Sequence, residues 1–211
     1  MTTSTTNAQR GLLIAVPCML TIVIVITAIN ANSSRDAAAA PATVGESQLP
    51  SIQFNNDGKL VRPTGYRKWT YVGTPLTPND MNGGTAPFPE FHSVYMNPEA
   101  YTHYEKTGEF PDGTVLIKEL VSVGSKEATS GKGYFMGDFI GLEVSLKDKT
   151  RFKDEPGNWA YFSFGHKYPL KTDARVQPAA SCNDCHAGDA DDDWVFTQYY
   201  PVLRAANESA K

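Results

Sequence analysis

Five residues near the carboxyl end of the chain carry its strongest chemical signal. Two residues separate Cys182 from Cys185 and His186 follows directly, which gives the pattern C-x-x-C-H. In a c-type haem site the two thiols bond to the porphyrin vinyl groups and the histidine ligates the iron. On a helical turn, positions i, i+3 and i+4 share one face, so both sulfurs and the imidazole reach the same ring. The spacing therefore predicts one haem c, attached to Cys182 and Cys185, with His186 as the axial iron ligand.

Three other kinds of site could use the same cysteines. A zinc ion needs four ligands, and without a second cysteine pair only His92, His103 and His166 could complete the set. A redox-active C-x-x-C disulfide is typical of a thioredoxin-like βαβ setting, which this part of the chain lacks. A structural disulfide is compatible with an exported protein. The complete pentapeptide favours haem c over all three.

A haem ligated by one histidine has a second axial position. In electron-transfer cytochromes this position is often filled by methionine, which raises the reduction potential. Met81, Met96 and Met136 are available, although a methionine in a strand is more often a core residue than a ligand. An open axial position would instead suit the binding or the chemistry of a small molecule.

Two charged residues, Lys118 and Glu143, lie inside otherwise apolar runs. If side chains alternate with a period of two, Glu143 shares a face with Phe135 and Phe139. In both runs the other face is at least as apolar as the face that carries the charge. Alternation alone therefore places both charges on solvated faces.

The rest of the pattern is mostly that of strands. Runs of β-branched and aromatic residues, bounded by turn residues, predict strands at residues 66–73, 91–96, 113–124, 133–147 and 159–166. A polar loop joins the third and fourth runs, which predicts an antiparallel hairpin. Asn97 as N-cap, Pro98 at the first position and Gly108 at the end predict a helix, and another is predicted over residues 193–200. The fold class is accordingly mainly antiparallel β with a few helices (α+β).

Composition and charge exclude several classes of protein. Of 211 residues, 41% are hydrophobic and 20% are charged, which excludes wholesale disorder. The net charge is −4, and no basic block is present that would indicate a nucleic-acid partner. We therefore expect a globular domain that does not bind nucleic acid.

The amino-terminal part of the chain has the composition of a targeting segment. Residues 11–28 contain no charged residue. This stretch is short for a membrane span and long for the apolar core of a cleavable signal peptide. Residues 1–31 are thus a signal peptide or a membrane anchor, and either one exports the rest of the chain. We expect a flexible linker at 32–51, the haem domain at 52–206 and a short tail at 207–211.

Several long blocks, in this order along the chain, resemble the cytochrome P-460 family. They are RKWTYVGTPLTPNDMNGG, YEKTGEFPDGTVLIKELVSVGS, GYFMGDFIGLEVSLKD, FKDEPGNWAYFSF and CNDCH followed by DWVFTQYYPVLRAA. The resemblance covers about residues 54–206 and implies a cytochrome P-460-like single haem domain of largely antiparallel β structure. It also implies a bacterial periplasmic homodimer with one haem per chain that oxidises hydroxylamine. Nitrous oxide is the implied product, formed by way of nitric oxide, and a soluble cytochrome c is the implied electron acceptor.

The resemblance assigns roles to the two charged residues. Lys118, in the block T-V-x-x-K-E-L-V-S-V-G, matches the lysine whose nitrogen is bonded to a meso carbon of the porphyrin in this family. Such a bond needs a neutral, desolvated amine, so the resemblance implies that Lys118 faces the haem. Glu143, in G-L-E, matches the family's distal carboxylate and is the implied proton acceptor for hydroxylamine.

The distal pocket is less well defined by the sequence. His92 stands where arginine is expected in some members of the family, and a histidine there could donate a hydrogen bond or relay a proton. Phe88, Phe135 and Phe139 are candidate walls of the pocket. We expect the histidine to change the polarity of the pocket.

Two functions without catalysis remain as alternatives. The related c′-beta cytochromes share the fold but bind nitric oxide without a lysine crosslink. A tethered electron-transfer cytochrome would hold methionine as its sixth ligand. The presence of both Lys118 and Glu143 favours the enzyme, through the resemblance.

Overall fold

A computed structural model describes residues 52–209 of the chain. The predictions for residues 1–31 and 32–51 lie outside the described residues. Nine strands and three α-helices follow one another in this part: β1 Leu60–Val61, β2 Thr70–Gly73, β3 Phe91–Met96, α1 Pro98–Thr107, β4 Val115–Val123, β5 Glu127–Ala128, β6 Gly131–Lys132, β7 Met136–Lys147, β8 Trp159–Ser163, β9 Asp173–Ala174, α2 Ala179–Asp189 and α3 Pro201–Ser209. Within these residues, none of the helices has the length and apolar character that a membrane span requires.

A five-stranded antiparallel sheet is the centre of the structure. Its strand order is β2-β3-β4-β7-β8, and every neighbouring pair is antiparallel. Strands β4 and β7 form the predicted hairpin, and the polar loop between them contains the small β5–β6 ribbon. A second small pairing joins β1 to β9. The predicted fold class, mainly antiparallel β with a few helices, is confirmed.

Local capping signals fix α1 as the sequence predicts. The helix begins at Pro98, after Asn97 in an extended conformation, and ends before Gly108, which has a φ of 72°. Proline at the first position already has a helical φ, and glycine adopts the left-handed C-cap conformation without strain. The predicted strand at residues 66–73 is shorter than expected, because Tyr66–Lys68 form a 3-10 turn before β2.

Apolar residues cover both faces of the central sheet. On one face, Ile117 and Val144 pack with Phe152, Phe162 and other residues into a buried cluster. On the other face, a second cluster joins the sheet to the three helices: Val72, Val94, Met96, Leu116, Trp159 and Tyr161 from the strands, Ala100 and Tyr104 from α1, Cys182 from α2, and Leu203 and Ala206 from α3. Because both faces carry buried apolar residues, alternation could not show which face a charged residue occupies.

The helix predicted over residues 193–200 is wrong. Asp193 and Trp194 have positive φ angles of 40° and 62°, which an α-helix does not allow. Only Thr197–Tyr199 form a 3-10 turn, and α3 begins after it, at Pro201. Long-range contacts hold the left-handed residues, since the Asp193 carboxylate accepts hydrogen bonds from Lys147 and from Trp159 Nε1.

Candidate haem site

The C-x-x-C-H motif lies on α2, which packs against strand β8. Cys182 and Cys185 are free thiols, the first half-buried and the second exposed. Burial raises the pKa of the Cys182 thiol above its ordinary value, and the nearby Glu143 carboxylate raises it further. The helix thus holds both thiols and His186 within one turn, in the arrangement that two thioether bonds and an iron ligand require.

His186 is held in one tautomer and one orientation. Its Nδ1 lies 2.7 Å from the carbonyl oxygen of Trp194, and because a carbonyl can only accept, Nδ1 carries the proton. The imidazole packs between Tyr161 and Phe196, with ring centroids at 4.5 and 4.7 Å. Burial lowers the pKa of His186, so the neutral ring is favoured. Nε2 therefore keeps its lone pair for a metal.

Lys118 and Glu143 face each other directly across β4 and β7. The Lys118 Nζ lies 2.5 Å from Glu143 Oε2, and both side chains are about three-quarters buried, at 27% and 24% exposed. The solvated position that alternation predicts for them is therefore wrong. Although burial alone would raise the pKa of Glu143, the Lys118 ammonium lowers it overall. The carboxyl is thus ionised and paired near neutral pH.

A third residue, His166, completes this cluster. Its Nε2 lies 2.8 Å from Glu143 Oε1, so the two carboxylate oxygens have one partner each. A close approach of the chain at Gly141 makes the contact possible. A Cβ built on Gly141 would lie 2.9 Å from the carbonyl oxygen of Gly165 and 3.2 Å from the Cα of His166. No local pattern in the sequence points to His166 beyond its residue type, because it lies in the loop that follows β8.

The Lys118–Glu143 pair lies within electrostatic range of the C-x-x-C-H motif. The charges of both residues act on the pKa of the Cys182 thiol and on that of His186. Interactions between exposed charges are largely screened by salt beyond one Debye length, which is roughly 8 Å at physiological salt. The fold thus brings together the motif on α2 and the charged pair at the centre of the sheet, which lie far apart in the sequence.

Comparison with protein families agrees with this arrangement. Residues 63–197 match the family model described as Cytochrome P460. The chain belongs to the cytochrome P460 family. No match was found among curated proteins. Because cytochrome P460 proteins bind haem and include enzymes, the match supports a haem-binding role for this chain.

The residues around the motif fit a haem. Five buried side-chain polar atoms in residues 52–209 lack a hydrogen-bond partner: Trp69 Nε1, His92 Nε2, Tyr161 Oη, Asn183 Oδ1 and Trp194 Nε1. Three of the five belong to the motif or to residues in contact with His186, and His92 lies on the neighbouring strand of the Lys118 face. A buried polar atom without a partner costs about 1–3 kcal/mol. Their grouping is expected where a further group with polar edges binds.

Two of the four proposed pocket residues lie beside Lys118. The Lys118 Nζ is 5.4 Å from the centre of the Phe88 ring, and that ring contacts His92 edge-on at 6.1 Å. His92 Nε2 is 3.8 Å from the buried Glu90 carboxylate. Phe88 and His92 therefore stand next to the charged pair, with Phe88 about half exposed.

The other two proposed pocket residues are not brought to this cluster. A β-bulge after Leu120 shifts the register, so that Phe139 pairs with Val121. Its ring stacks on the Arg67 guanidinium, with Cζ 4.3 Å from the ring centre, on the face opposite to Lys118. Phe135 precedes β7, where its backbone bonds to Ser125. Alternation failed for these two because the bulge inserts a residue between them and Glu143.

The three methionines differ in burial. Met96 is fully buried in the cluster between sheet and helices, whereas Met81 and Met136 are 75% and 51% exposed. Met96 thus has the burial of a core residue. Within residues 52–209, no three His, Cys, Asp or Glu side chains converge as a metal ion held by side chains alone would need.

Proposed function

We propose that this chain is a c-type haem enzyme that oxidises hydroxylamine. The observation that carries the proposal is the direct pair between Lys118 and Glu143, which lies within electrostatic range of the C-x-x-C-H helix. In this proposal Cys182 and Cys185 hold the porphyrin, and His186 supplies Nε2 to the iron. Lys118 supplies a third covalent tie. The haem, when bound, supplies the redox centre that takes electrons from the substrate.

In this proposal Lys118 attaches the haem and Glu143 accepts protons. A tie from Lys118 would replace a meso C–H bond of the porphyrin by a C–N bond, which needs a neutral amine and a two-electron oxidant such as a peroxide; Glu143 Oε2 lies 2.5 Å from Lys118 Nζ and can hold the amine proton. Hydroxylamine must lose protons as it loses electrons, so a carboxylate near the reacting atoms raises the rate. His166 also lowers the pKa of Glu143, and its contact with Oε1 does not depend on Lys118, so this carboxylate keeps one partner that favours its ionised form when Lys118 is bonded.

The setting of the enzyme is part of the same proposal. We place it in the bacterial periplasm, soluble or tethered by residues 11–28, as a homodimer that passes electrons to a soluble cytochrome c. Nitrous oxide, formed by way of nitric oxide, is the proposed product. The family match supports the haem and the enzyme class of this proposal.

Replacing Glu143 tests the proposal. In holoenzyme that carries Glu143→Gln, hydroxylamine-dependent reduction of cytochrome c should fall by about 100-fold, because a general base contributes about 10²–10⁴ in rate. Thioether attachment of the haem to Cys182 and Cys185 should be unchanged, and the comparison is made on samples whose red-shifted Soret band shows that the Lys118 crosslink has formed. Glu105→Gln, an exposed carboxylate on α1, is the matched control and should retain full turnover.

Two results would count against the proposal. Full turnover in Glu143→Gln would remove the carboxylate from the reaction. A wild-type holoenzyme that binds nitric oxide tightly but does not turn over hydroxylamine would support a gas-binding protein instead.

A further inference from the structure

We propose that His166 is the positioning residue that holds Glu143 and carries its proton to solvent. This inference rests on the proposed function and deepens it. It begins with the two oxygens of one carboxylate, of which Oε2 contacts Lys118 and Oε1 contacts His166 at 2.8 Å. Of these two partners, Lys118 is proposed to be bonded to the porphyrin, whereas His166 keeps its contact with Glu143.

Lys118 cannot remain the partner that neutralises Glu143. If its nitrogen is bonded to the porphyrin, the ammonium no longer exists, and the carboxylate loses its nearest positive charge. Among the described residues, His166 is then the one basic side chain that still contacts Glu143. A carboxylate that is largely buried needs such a partner to stay ionised and in place.

His166 also connects Glu143 to water. Its side chain is 51% exposed, whereas that of Glu143 is 24% exposed. When Glu143 carries a proton on Oε1, the tautomer of His166 with hydrogen on Nδ1 presents its Nε2 lone pair to that proton. Transfer to Nε2 gives the imidazolium, and loss of the Nδ1 proton to bulk water leaves Nε2–H donating to the ionised carboxylate. Imidazole suits this step because its ordinary pKa lies near neutrality.

The groups that face His166 come from three elements. Glu143 comes from β7, Lys118 reaches the same carboxylate from β4, and the buried Glu90 before β3 is within electrostatic range of the His166 charge. With Lys118 bonded, the charged groups that remain around His166 are the two carboxylates, Glu143 and Glu90. The surroundings therefore fit a proton acceptor rather than a residue that only fills space.

Two substitutions at His166 separate holding from proton transfer. His166→Gln can still donate a hydrogen bond to Glu143 but cannot titrate, and His166→Ala can do neither. Both holoenzymes should lose at least about 10-fold in hydroxylamine turnover. Added imidazole should restore part of the loss in His166→Ala, because the position is half exposed. His103→Gln, an exposed histidine on α1, is the control and should match wild type.

An infrared titration of the same holoenzymes tests the contact without turnover. The band of the protonated Glu143 carboxyl, assigned by its absence in Glu143→Gln, should appear at higher pH in His166→Ala than in wild type. Loss of a donor to the charged form raises a carboxyl pKa. Full turnover in His166→Gln, or an unchanged titration in His166→Ala, would overturn the proposal. If wild type lacked turnover, the proposed function would fail, and the titration alone would decide on His166.

Discussion

At the scale of single residues, two carboxylates in neighbouring strands, one buried and one largely buried, have different surroundings. Glu119 on β4 is 1% exposed, and both of its oxygens are held, by the Tyr66 hydroxyl at 2.6 Å and by the Arg67 guanidinium. Glu143 on β7 has one partner that is a candidate for covalent bonding and another that reaches solvent. Glu119 is thus fixed on all sides, whereas Glu143 is placed to exchange protons.

We predict that the contact of Arg67 with Glu119 stabilises the folded protein. Arg67→Ala would leave a buried carboxylate with the Tyr66 hydroxyl as its one remaining side-chain partner among the described residues. Thermal or urea unfolding should show a loss of about 2 kcal/mol in the free energy of unfolding. Lys68→Ala removes the same charge from an exposed neighbour and should change stability by less than about 0.5 kcal/mol. Equal losses in the two variants would show that Glu119 does not depend on Arg67.

Residue types and spacing predicted part of this site and not the rest. The C-x-x-C-H pattern was visible because its spacing is local, and Lys118 and Glu143 were found through the family resemblance. The sequence did not predict the contact of His166 with Glu143. That contact joins residues 23 positions apart and depends on the close packing of the loop on Gly141.

At the scale of elements, the approach of strand β7 to the loop after β8 positions the site. A Cβ on Gly141 would lie 2.7 Å from Leu120 Cδ1 and 2.9 Å from the carbonyl oxygen of Gly165. The same loop is held by hydrogen bonds between Leu142 and the backbone of Phe164 and Gly165. A side chain at this point must therefore move the loop that carries His166.

Gly141→Ala should accordingly impair both stability and turnover. We expect a loss of about 1–3 kcal/mol in the free energy of unfolding, as for other overpacked positions. Hydroxylamine turnover should fall as well, because His166 would be displaced from Glu143. Gly133→Ala is the control, since its Cβ would meet only the Phe135 ring, at 3.7 Å. If Gly141→Ala matched this control in both assays, the close approach would not matter.

The two variable positions of the C-x-x-C-H motif should respond differently to substitution. Asn183 is buried, and its Nδ2 donates to the carbonyl oxygens of Pro156 and Trp159, both at 3.3 Å, so it ties α2 to β8. Asn183→Ala should lose about 1–3 kcal/mol of stability and attach less haem, measured by unfolding and intact mass. Asp184→Ala, at the exposed position, should change stability by less than about 0.5 kcal/mol. Similar haem loading in both variants would argue against this role of Asn183.

The elements were predictable where their signals are local. Helix α1 follows from Asn97, Pro98 and Gly108, which act within one turn of the chain. The helix predicted at residues 193–200 failed because Lys147 and Trp159, both distant in sequence, hold Asp193 in a left-handed conformation. The prediction that Phe139 shares a face with Glu143 failed because the alternation of side chains does not reveal a β-bulge.

At the scale of the whole molecule, the central sheet separates two clusters of buried apolar residues. One face packs against the segments that carry β1 and β9, and the other packs against α1, α2 and α3. The proposed reactive residues all belong to the face that the helices cover, where burial favours neutral His186 and a paired Glu143. The antiparallel architecture was predictable from strand periodicity, whereas the choice of face required the three-dimensional fold.

The central claim is that Lys118 joins a c-type haem and thereby creates a hydroxylamine-oxidising centre. The most direct measurement is the ferrous absorption spectrum of purified holoenzyme, with intact mass and hydroxylamine turnover on the same sample. Wild type should show a covalently attached haem, a strongly red-shifted Soret band and turnover. Lys118→Gln should keep the attached haem but show an ordinary c-type spectrum and little turnover, while Lys106→Gln, an exposed lysine on α1, should match wild type. An ordinary spectrum without turnover in wild type, or unchanged turnover in Lys118→Gln, would contradict the claim.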